Sequence, residues 1–454
     1  MRIFNYTNEY ELNRSLRNTT LAAVFGMVFF SAIQGTAYTA FIRAINKQDS
    51  LYGFLAALPL IAGLFRFVSA YVIERFRARR MVFMISFFVQ RLIWIPFALI
   101  PYLIPGTSAS LRVAMIVLCL AAHGMGGAFG DVALISWLTD LVPSEMRGSY
   151  LGRRGRIAQI AAIITPLLIG WYLDAHHGFG SLSTVLIVAS LFGALDITLW
   201  LWVRHPPLHE PAAPKTRLLH LLLEPLHMPA YRRLLAFWTS ALFAFGFMGP
   251  FLMVYNLEVL RLDYIQSSIQ LQVIPGVTAF LMAGIWGRCI DQYGSKPLLK
   301  LCMIVSSCFP VFWILSTPAL PWLQIIPNIC SGAVWLGLDM AQMSLMMKIL
   351  PKENRSFYIA GYGVVAWLAG NAVAAMLAGC LADITRPWVA GSGIRLFGAP
   401  LSVYQVLFAL SMALRLVSYF TFLPRVHEPE AQSASSLISS VLAPARRVFR
   451  DRNQ

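Results

Sequence analysis

Charge is scarce in this sequence, because Asp, Glu, Lys and Arg make up only 12% of its 454 residues. A soluble domain carries about 25% charged residues, so the composition excludes an ordinary water-soluble globular protein. Hydrophobic residues reach 58% instead. The chain is therefore expected to have lipid as its main solvent.

Several chemical motifs are also missing. The six cysteines lie in long apolar stretches without a Cys-x-x-Cys pair, so neither a disulfide framework nor a zinc site is predicted. The polar segment before residue 18 has no short apolar core, and we expect no cleaved signal peptide. A phosphate-binding loop, His-Glu-x-x-His and Gly-x-Ser-x-Gly are not found. We therefore expect no enzymatic activity, no ATP hydrolysis, no cofactor and no bound metal.

Long apolar runs are abundant. A helix needs about 20 mostly apolar residues to cross a bilayer, whereas a membrane β-barrel shows about 10-residue alternating segments. The pattern predicts an all-α polytopic membrane protein with twelve transmembrane helices. The predicted spans are residues 18–46, 50–75, 80–103, 110–140, 150–175, 181–203, 233–260, 266–289, 297–316, 320–349, 356–384 and 401–424.

The predicted spans divide into two six-helix bundles separated by a proline-rich connector. The predicted domains are an N-terminal segment (1–17), a first bundle (18–204), a linker (205–232), a second bundle (233–424) and a tail (425–454). The tail ends in several arginines, for which we expect contact with anionic lipid or a disordered, orienting role.

The net charge of +16 is distributed unevenly. With both termini and the even-numbered loops inside, 27 of the 36 Lys and Arg fall inside. This bias orients membrane proteins. It predicts cytoplasmic termini in the plasma membrane, the inner membrane in a bacterium, and argues against a nucleic-acid partner. Six fall outside: Arg43, Lys47, Arg112, Arg261, Arg386 and Arg395.

One pattern occurs twice, 208 positions apart. Its form is Asp-x-Ala-x-x-Ser-x₆-Pro-x-Glu-x-Arg-x-x-Tyr, starting at Asp131 and again at Asp339. Transporters built from two repeats usually hold their substrate between the repeats, near the bilayer midplane. The duplication therefore points to transport.

The predicted loop between the eighth and ninth spans contains Gly287, Asp291, Gly294 and Lys296. It resembles the Gly-x-x-x-Asp-x-x-Gly signature of the major facilitator superfamily, and the first half keeps the acid–base pair without the glycines. In that family such clusters are thought to latch the cytoplasmic side. The resemblance implies the latch residues Glu74, Arg75, Arg79, Gly287, Asp291, Gly294, Lys296, Arg147 and Arg355. The alternative is that the basic residues only set topology.

Ionisable residues within the spans share one layer, about 12–17 Å from the inner boundary. Such residues are functional candidates because each costs about 3 kcal/mol in lipid. They are Arg66, Arg91, Asp131, Asp196, Asp339 and Arg415. In one interpretation Arg66 or Arg91 pairs with Asp131, and Arg415 with Asp339, to hold each bundle together. In the other, a carboxylate couples proton uptake to transport.

Uncharged polar side chains in the spans are candidates for a substrate cavity, since the family resemblance implies that helices one, four, seven and ten face it. An interhelical hydrogen bond is the alternative for each. The candidates are Gln34, Tyr38, His123, Tyr255, Asn256, Gln272, Asn328, Trp335, Tyr362 and Asn371.

Together these features predict a monomeric secondary transporter that moves a small solute by alternating access. Proton coupling is expected, and the direction, uptake or efflux, stays open. The mixed aromatic and amide inventory favours a neutral, amphipathic or weakly charged solute. Two alternatives remain: a membrane sensor or assembly protein that has lost transport, and a lipid flippase.

Overall fold

A computed structural model describes residues 2–104, 108–143, 146–206, 224–350 and 361–428. The central part of the predicted linker, the end of the tail and the second repeat motif from Pro351 onward lie outside these residues.

The described residues include twelve helical segments long and apolar enough to cross a membrane. The predicted architecture of twelve transmembrane helices is confirmed. We number the segments span 1 to span 12: Glu9–Ile45, Asp49–Ile73, Arg79–Leu103, Ala109–Leu141, Ser149–Ala175, Phe179–Trp202, Pro229–Val259, Tyr264–Tyr293, Ser295–Leu315, Pro321–Ile349, Gly361–Gly391 and Val403–Arg425.

Many spans are interrupted rather than uniform α-helices. The α-helices are Arg2–Ile33, Thr36–Ile45, Asp49–Ala62, Phe65–Phe76, Arg79–Leu92, Trp94–Leu103, Ala109–Leu141, Arg147–Ala175, Phe179–Leu199, Pro229–Gly246, Phe251–Val254, Tyr264–Ser268, Ile274–Tyr293, Ser295–Leu315, Ile325–Ile349, Val373–Gly391 and Val403–Val417. Wider π-helical turns occupy Tyr255–Val259, Ile269–Val273, Ala366–Ala372 and Ser418–Phe422. Short 3₁₀ turns are Trp200–Trp202, Glu224–His227, Pro321–Gln324 and Leu423–Arg425, and one antiparallel hairpin pairs Arg395–Leu396 with Ala399–Pro400.

The chain forms two compact units that do not follow the two sequence halves residue by residue. Unit 1 comprises Met1–Lys215, Pro250–Val273 and Ala375–Ile384, and unit 2 comprises Thr216–Gly249, Ile274–Ala374 and Thr385–Gln454. Unit 1 therefore includes one end of spans 7 and 8 and an interior stretch of span 11 besides the first six spans.

Each unit has an aromatic core where its helices meet. In unit 1 the Phe83 ring lies 5.2 Å from that of Trp137 and 4.7 Å from that of Trp200. In unit 2 Trp238 and Trp286 are buried in one cluster with leucines of span 9. Edge-on and tilted ring contacts of this kind add to the free energy gained by burial.

The repeated serine has the same position and a similar role in both units. In unit 1 Ser136 Oγ accepts a hydrogen bond from Arg79 at 3.2 Å. In unit 2 Ser344 Oγ accepts one from Ser295 at 2.9 Å. The serine thus connects the end of the fourth helix of each repeat to the start of the third.

The turn between spans 8 and 9 uses the glycine that the sequence signature predicts. Gly294 has φ 89° and ψ 171°, a region that only glycine visits readily. Arg77 stands at the corresponding place in the first half, with φ 51° and ψ 26°. The missing glycine is therefore replaced by a left-handed arginine, a conformation that L-residues also adopt at some cost.

Gly294→Ala is expected to destabilise the protein by about 1–3 kcal/mol, because alanine does not adopt this backbone conformation without strain. Arg77→Gly should change stability by no more than about 1 kcal/mol, since the relief of the left-handed strain is offset by the entropy of glycine. Thermal unfolding of the two purified variants in detergent compares them. Equal losses in the two variants would show that backbone strain does not distinguish the turns.

A carboxylate just beyond span 12 fastens that segment to unit 2. The Glu428 side chain accepts hydrogen bonds from the backbone N–H groups of Ser295 (3.2 Å) and Lys296 (2.7 Å), and from Lys348 Nζ (2.7 Å). Burial raises the pKa of Glu428, but these hydrogen bonds outweigh burial, so its pKa lies below the ordinary 4.5. The charged form is therefore the one that the fold stabilises.

Glu428→Gln is expected to cost about 1.5–3 kcal/mol at pH 7, as for loss of a hydrogen-bonded charge. The folded-state pKa is lowered, so this stabilisation is present above the unfolded-state pKa and is lost as the pH falls through the folded value. The difference in Tm between wild type and Glu428→Gln should thus shrink below pH 4.5, the ordinary value. Glu9→Gln, at an exposed carboxylate, is the control; a difference that is constant with pH would contradict the assignment.

Candidate functional site: charged and polar groups within the spans

The repeated aspartate of span 4 is paired. Arg66 Nη2 lies 3.0 Å from Asp131 Oδ2, and both side chains are half-exposed, 43% and 42%. Of the two arginines that the sequence suggested as partners of Asp131, Arg66 is the one that pairs with it. Arg91 pairs with Asp196 instead. A pair with this much exposure contributes about 0–1 kcal/mol to stability.

The repeated aspartate of span 10 has a different environment. Asp339 is exposed, and among the described residues it has neither an ion pair nor a hydrogen bond. It lies on a helical stripe, spaced four residues apart, with Trp335, Met343 and Met347, which are 36%, 39% and 47% exposed. The two equivalent carboxylates of the repeats therefore differ in pairing.

Arg415 was expected to pair with Asp339, and in the structure it does not. Its guanidinium donates to the Ser306 carbonyl at 2.7 Å and to Ser411 Oγ at 3.1 Å. It also lies 4.5 Å from the centre of the Phe245 ring. Arg415 is buried inside unit 2, because its neighbours on spans 7, 9 and 12 supply acceptors and an aromatic face in place of a carboxylate.

Arg91 and Asp196 form a buried ion pair in unit 1. Arg91 Nη2 lies 3.0 Å from Asp196 Oδ2, with only 4% and 9% of the two side chains exposed. The guanidinium also lies 4.4 Å from the Phe29 ring and 4.6 Å from the Phe30 ring. The Arg91 guanidinium is thus surrounded by aromatic rings as well as paired.

His123 is held in the same region of unit 1. Its Nδ1 lies 3.0 Å from Trp94 Nε1 and 3.2 Å from the Gln90 carbonyl oxygen, and the ring is buried. Nδ1 accepts from Trp94 in one tautomer and donates to Gln90 in the other, so either tautomer has a partner for this nitrogen. The contact fits a packing role.

The other polar candidates in unit 1 lie on spans 1, 7 and 8. Span 1 breaks between Ile33 and Thr36, where Gln34 is exposed. The Gln272 amide lies beside Gly35, at 2.8 Å from where a Cβ would stand. Asn256 is fully buried, and its amide nitrogen and oxygen have no hydrogen-bond partner among the described residues. Tyr38 packs on Trp94 and Phe97, and Tyr255 is fully buried.

The candidates in unit 2 lie on spans 10 and 11. Asn328 is buried, and its amide nitrogen has no hydrogen-bond acceptor among the described residues. Trp335 packs against Phe245 with ring centres 4.6 Å apart. Tyr362 is buried against Tyr231. The Asn371 amide oxygen lies 2.8 Å from where a Cβ on Gly246 would stand, so asparagine and glycine pack closely there.

The predicted latch residues belong to both units and have different environments within them. Arg75 and Asp291 are exposed, and no hydrogen bond or ion pair is described for either. Arg79 is buried and pairs with Asp140 of span 4. Lys296 contacts Glu428 through its backbone, and Gly287 has open space beside it. The side chains of Glu74 and Arg147 and all of Arg355 lie outside the described part.

Other charged groups were not predicted from the sequence as site residues. Arg43 donates to Asp49 Oδ1 at 2.8 Å and to both carboxylate oxygens of Glu258 at 2.6 and 2.8 Å. Asp174 and Asp383 each contact the backbone at the start of another span. The partners of Asp174 and Asp383 lie 90 or more positions away in the sequence, so spacing along the chain does not identify these contacts.

The fold is similar to those of solved membrane transporters. The D-xylose–proton symporter superposes with TM-score 0.68 at 16% identity, covering 91% of this chain and 98% of that one. A mutant form of the nucleoside transporter NupG gives TM-score 0.67 at 12% identity, covering 91% and 100%. A bacterial homologue of the human lysosomal transporter Spinster, inward-facing and occupied, gives 0.64 at 16%, covering 91% and 98%. No curated protein sequence matches the chain.

Twelve apolar spans and these superpositions define the protein as an integral membrane protein with a transporter fold. The sequence model of the Major Facilitator Superfamily matches residues 20–371. The chain belongs to the Major Facilitator Superfamily, as the signature around Asp291 suggested.

Proposed function

We propose that the protein is a secondary active transporter of a small solute, working by alternating access and driven by protons that bind Asp339. The main support for proton coupling through Asp339 is that the equivalent aspartates of the two repeats differ in pairing. Asp131 is paired with Arg66 at 3.0 Å, whereas Asp339 has no ion pair among the described residues.

An unpaired carboxylate inside a span has two low-cost states. It either meets water along an aqueous path or binds a proton, because a bare charge in lipid costs several kcal/mol. Asp339 lies nine residues before Lys348, which is about 13 Å along the helix. A group at that depth that alternates between the two states can couple proton movement to a conformational change.

The favoured substrate is a neutral solute with several hydrogen-bonding groups. The amides of Asn256 and Gln272 in unit 1 each contain a shielded atom without a hydrogen-bond partner among the described residues. Leaving such an atom without a partner costs free energy. A hydroxyl-rich solute would supply that partner. Two of the similar solved structures are a D-xylose–proton symporter and a nucleoside transporter, and their solutes are of this kind.

Flux through proteoliposomes tests the proposed function. Radiolabelled D-xylose and uridine would be the first probes, followed by whichever member of a neutral-solute library most raises the Tm of the purified protein. Uptake driven by an imposed pH gradient, with proton movement reported by an internal dye, supports a proton-coupled transporter. Binding without flux supports the sensor alternative, and lipid scrambling without solute flux supports the flippase.

The orientation and oligomeric state belong to the same proposal. We expect both termini in the cytoplasm and a monomer in detergent. Impermeant labelling in intact cells should modify a cysteine placed at Arg395 but not one placed at Lys215. Labelling of both positions from the same side would overturn the proposed topology.

A further inference from the structure

Two carboxylates of unit 1 make matching contacts with helix starts. Asp174 of span 5 accepts hydrogen bonds from the backbone N–H groups of Tyr264 and Ile265, each at 2.8 Å. These are the first residues of span 8. One carboxylate thus satisfies two of the backbone donors that a helix start leaves without an intrahelical partner.

Asp383 of span 11 makes the same contact with span 2. Its carboxylate accepts from the backbone N–H groups of Asp49 at 3.1 Å and Ser50 at 2.8 Å. These are the first residues of span 2. A carboxylate at a helix start is also favoured by the helix dipole.

The two contacts are related by the internal duplication. Spans 5 and 11 are equivalent in the two repeats, and so are spans 2 and 8. Both aspartates end the same short pattern, Gly-x-x-x-Asp, at Gly170–Asp174 and at Gly379–Asp383, 209 positions apart. The pattern therefore recurs at equivalent places and contacts equivalent partners.

The glycine of each pattern allows the start of the neighbouring helix to pack closely against it. A Cβ added to Gly170 would lie 2.5 Å from the Ile265 Cα, and one added to Gly379 would collide with the Asp49 backbone. Glycine one helical turn before the aspartate lets the neighbouring helix start come close enough for the carboxylate to reach both N–H groups.

An ion cluster in which Arg43 and Asp49 are buried reinforces the contact at span 2. Arg43 binds the Asp49 side chain at 2.8 Å and is held by both oxygens of Glu258 from span 7. Only 6% of the Arg43 side chain and none of the Asp49 side chain is exposed. Asp49 thus joins both sets of contacts, through its backbone to Asp383 and through its side chain to Arg43.

We propose that Asp174 and Asp383 are gating residues that act as a pseudo-symmetric pair of carboxylate clamps. Asp174 holds the start of span 8 to span 5, and Asp383 holds the start of span 2 to span 11. Together they keep the predicted outer side of the protein closed. The inference rests on alternating access, since the clamps must release before that side opens. It goes beyond the proposed proton coupling, because neither aspartate needs to titrate or to touch the solute.

Accessibility labelling tests the clamps without any substrate or pH gradient. The reporter is Ser267→Cys, a nearly isosteric change at a residue of span 8 that is fully buried here. The exposed Cys308, Cys330 and Cys380 are replaced by serine in this background. An impermeant maleimide is added to intact cells, and the labelling rate of the reporter is measured.

Asp174→Asn and Asp383→Asn should each raise the reporter labelling rate about tenfold, as expected for loss of a hydrogen-bonded charge, and the double variant should raise it further. Asp263→Asn is the matched control, because Asp263 is an exposed carboxylate beside the same helix start, without a described side-chain partner. Its labelling rate should equal that of the parent.

A second variant pair tests the glycine independently of charge. Gly170→Ala should also raise labelling, since its methyl group would push against the Ile265 backbone, whereas Gly152→Ala on the same helix has open space and should not. The proposal would be overturned if the reporter were labelled at the parent's rate in Asp174→Asn, Asp383→Asn and Gly170→Ala, with each variant monodisperse by gel filtration. Increased labelling in a protein that moves no solute would leave the clamps standing and overturn the transport proposal alone.

Discussion

Asp339→Asn is expected to reduce pH-gradient-driven uptake to the level of empty liposomes, while the protein still exchanges solute across the membrane at equilibrium. Asparagine keeps the size and hydrogen-bonding ability of the side chain but does not bind and release a proton. If Asp339 is the coupling carboxylate, the conformational cycle loses its link to the gradient without losing its substrate site. Asp339→Glu should retain part of the uptake.

The measurement is accumulation and counterflow of the same solute in matched proteoliposomes. Asp263→Asn is the control, since Asp263 is also an exposed carboxylate without a described side-chain partner but lies just before the start of span 8. Asp131→Asn, which removes the partner of Arg66, separates the two repeats: it should weaken uptake less than Asp339→Asn. Normal gradient-driven accumulation by Asp339→Asn would exclude Asp339 as the coupling residue.

The second large effect is expected in stability. Asp196→Ala should destabilise unit 1 by about 3–5 kcal/mol, because it leaves the Arg91 guanidinium buried without its counter-charge. Only 4% of the Arg91 side chain is exposed, so water does not replace the lost carboxylate. The expected result is a large fall in Tm and in yield from the membrane.

The combined variant Arg91→Met/Asp196→Leu distinguishes an ion pair from simple loss of packing. Replacing both partners by apolar groups is often neutral or stabilising, so the double variant should recover most of the Tm that Asp196→Ala loses. Asp131→Ala is the control and should cost about 0–1 kcal/mol, since its pair with Arg66 is half-exposed. A double variant as unstable as Asp196→Ala would show that the pair contributes through shape rather than charge.

Depth along the helices predicted some contacts of the site and missed others. Arg66 and Asp131 share a layer, and they pair. Arg415 and Asp339 also share a layer in the sequence, but they do not pair, because Arg415 turns toward Ser306, Ser411 and the Phe245 ring. Depth is set by position along one helix, whereas the direction of a side chain depends on how helices pack.

The duplicated pattern around Asp131 and Asp339 correctly marked equivalent positions, yet the environments of the two carboxylates differ. The second pattern, Gly170–Asp174 and Gly379–Asp383, was visible in the sequence and carries no obvious chemistry there. Its meaning depends on the backbone N–H groups of Tyr264 and Asp49, which every residue except proline has. Only the contact itself identifies it.

The number of spans, the duplication and the family were determined by the sequence alone. The length of an apolar segment and a short motif are local properties of the chain, and they do not depend on how the helices pack. The tertiary structure alone decided which carboxylate is paired, where Arg415 points and which helix starts are capped. Those contacts join residues tens to hundreds of positions apart, and their free energies depend on distances and burial that arise only when the helices pack.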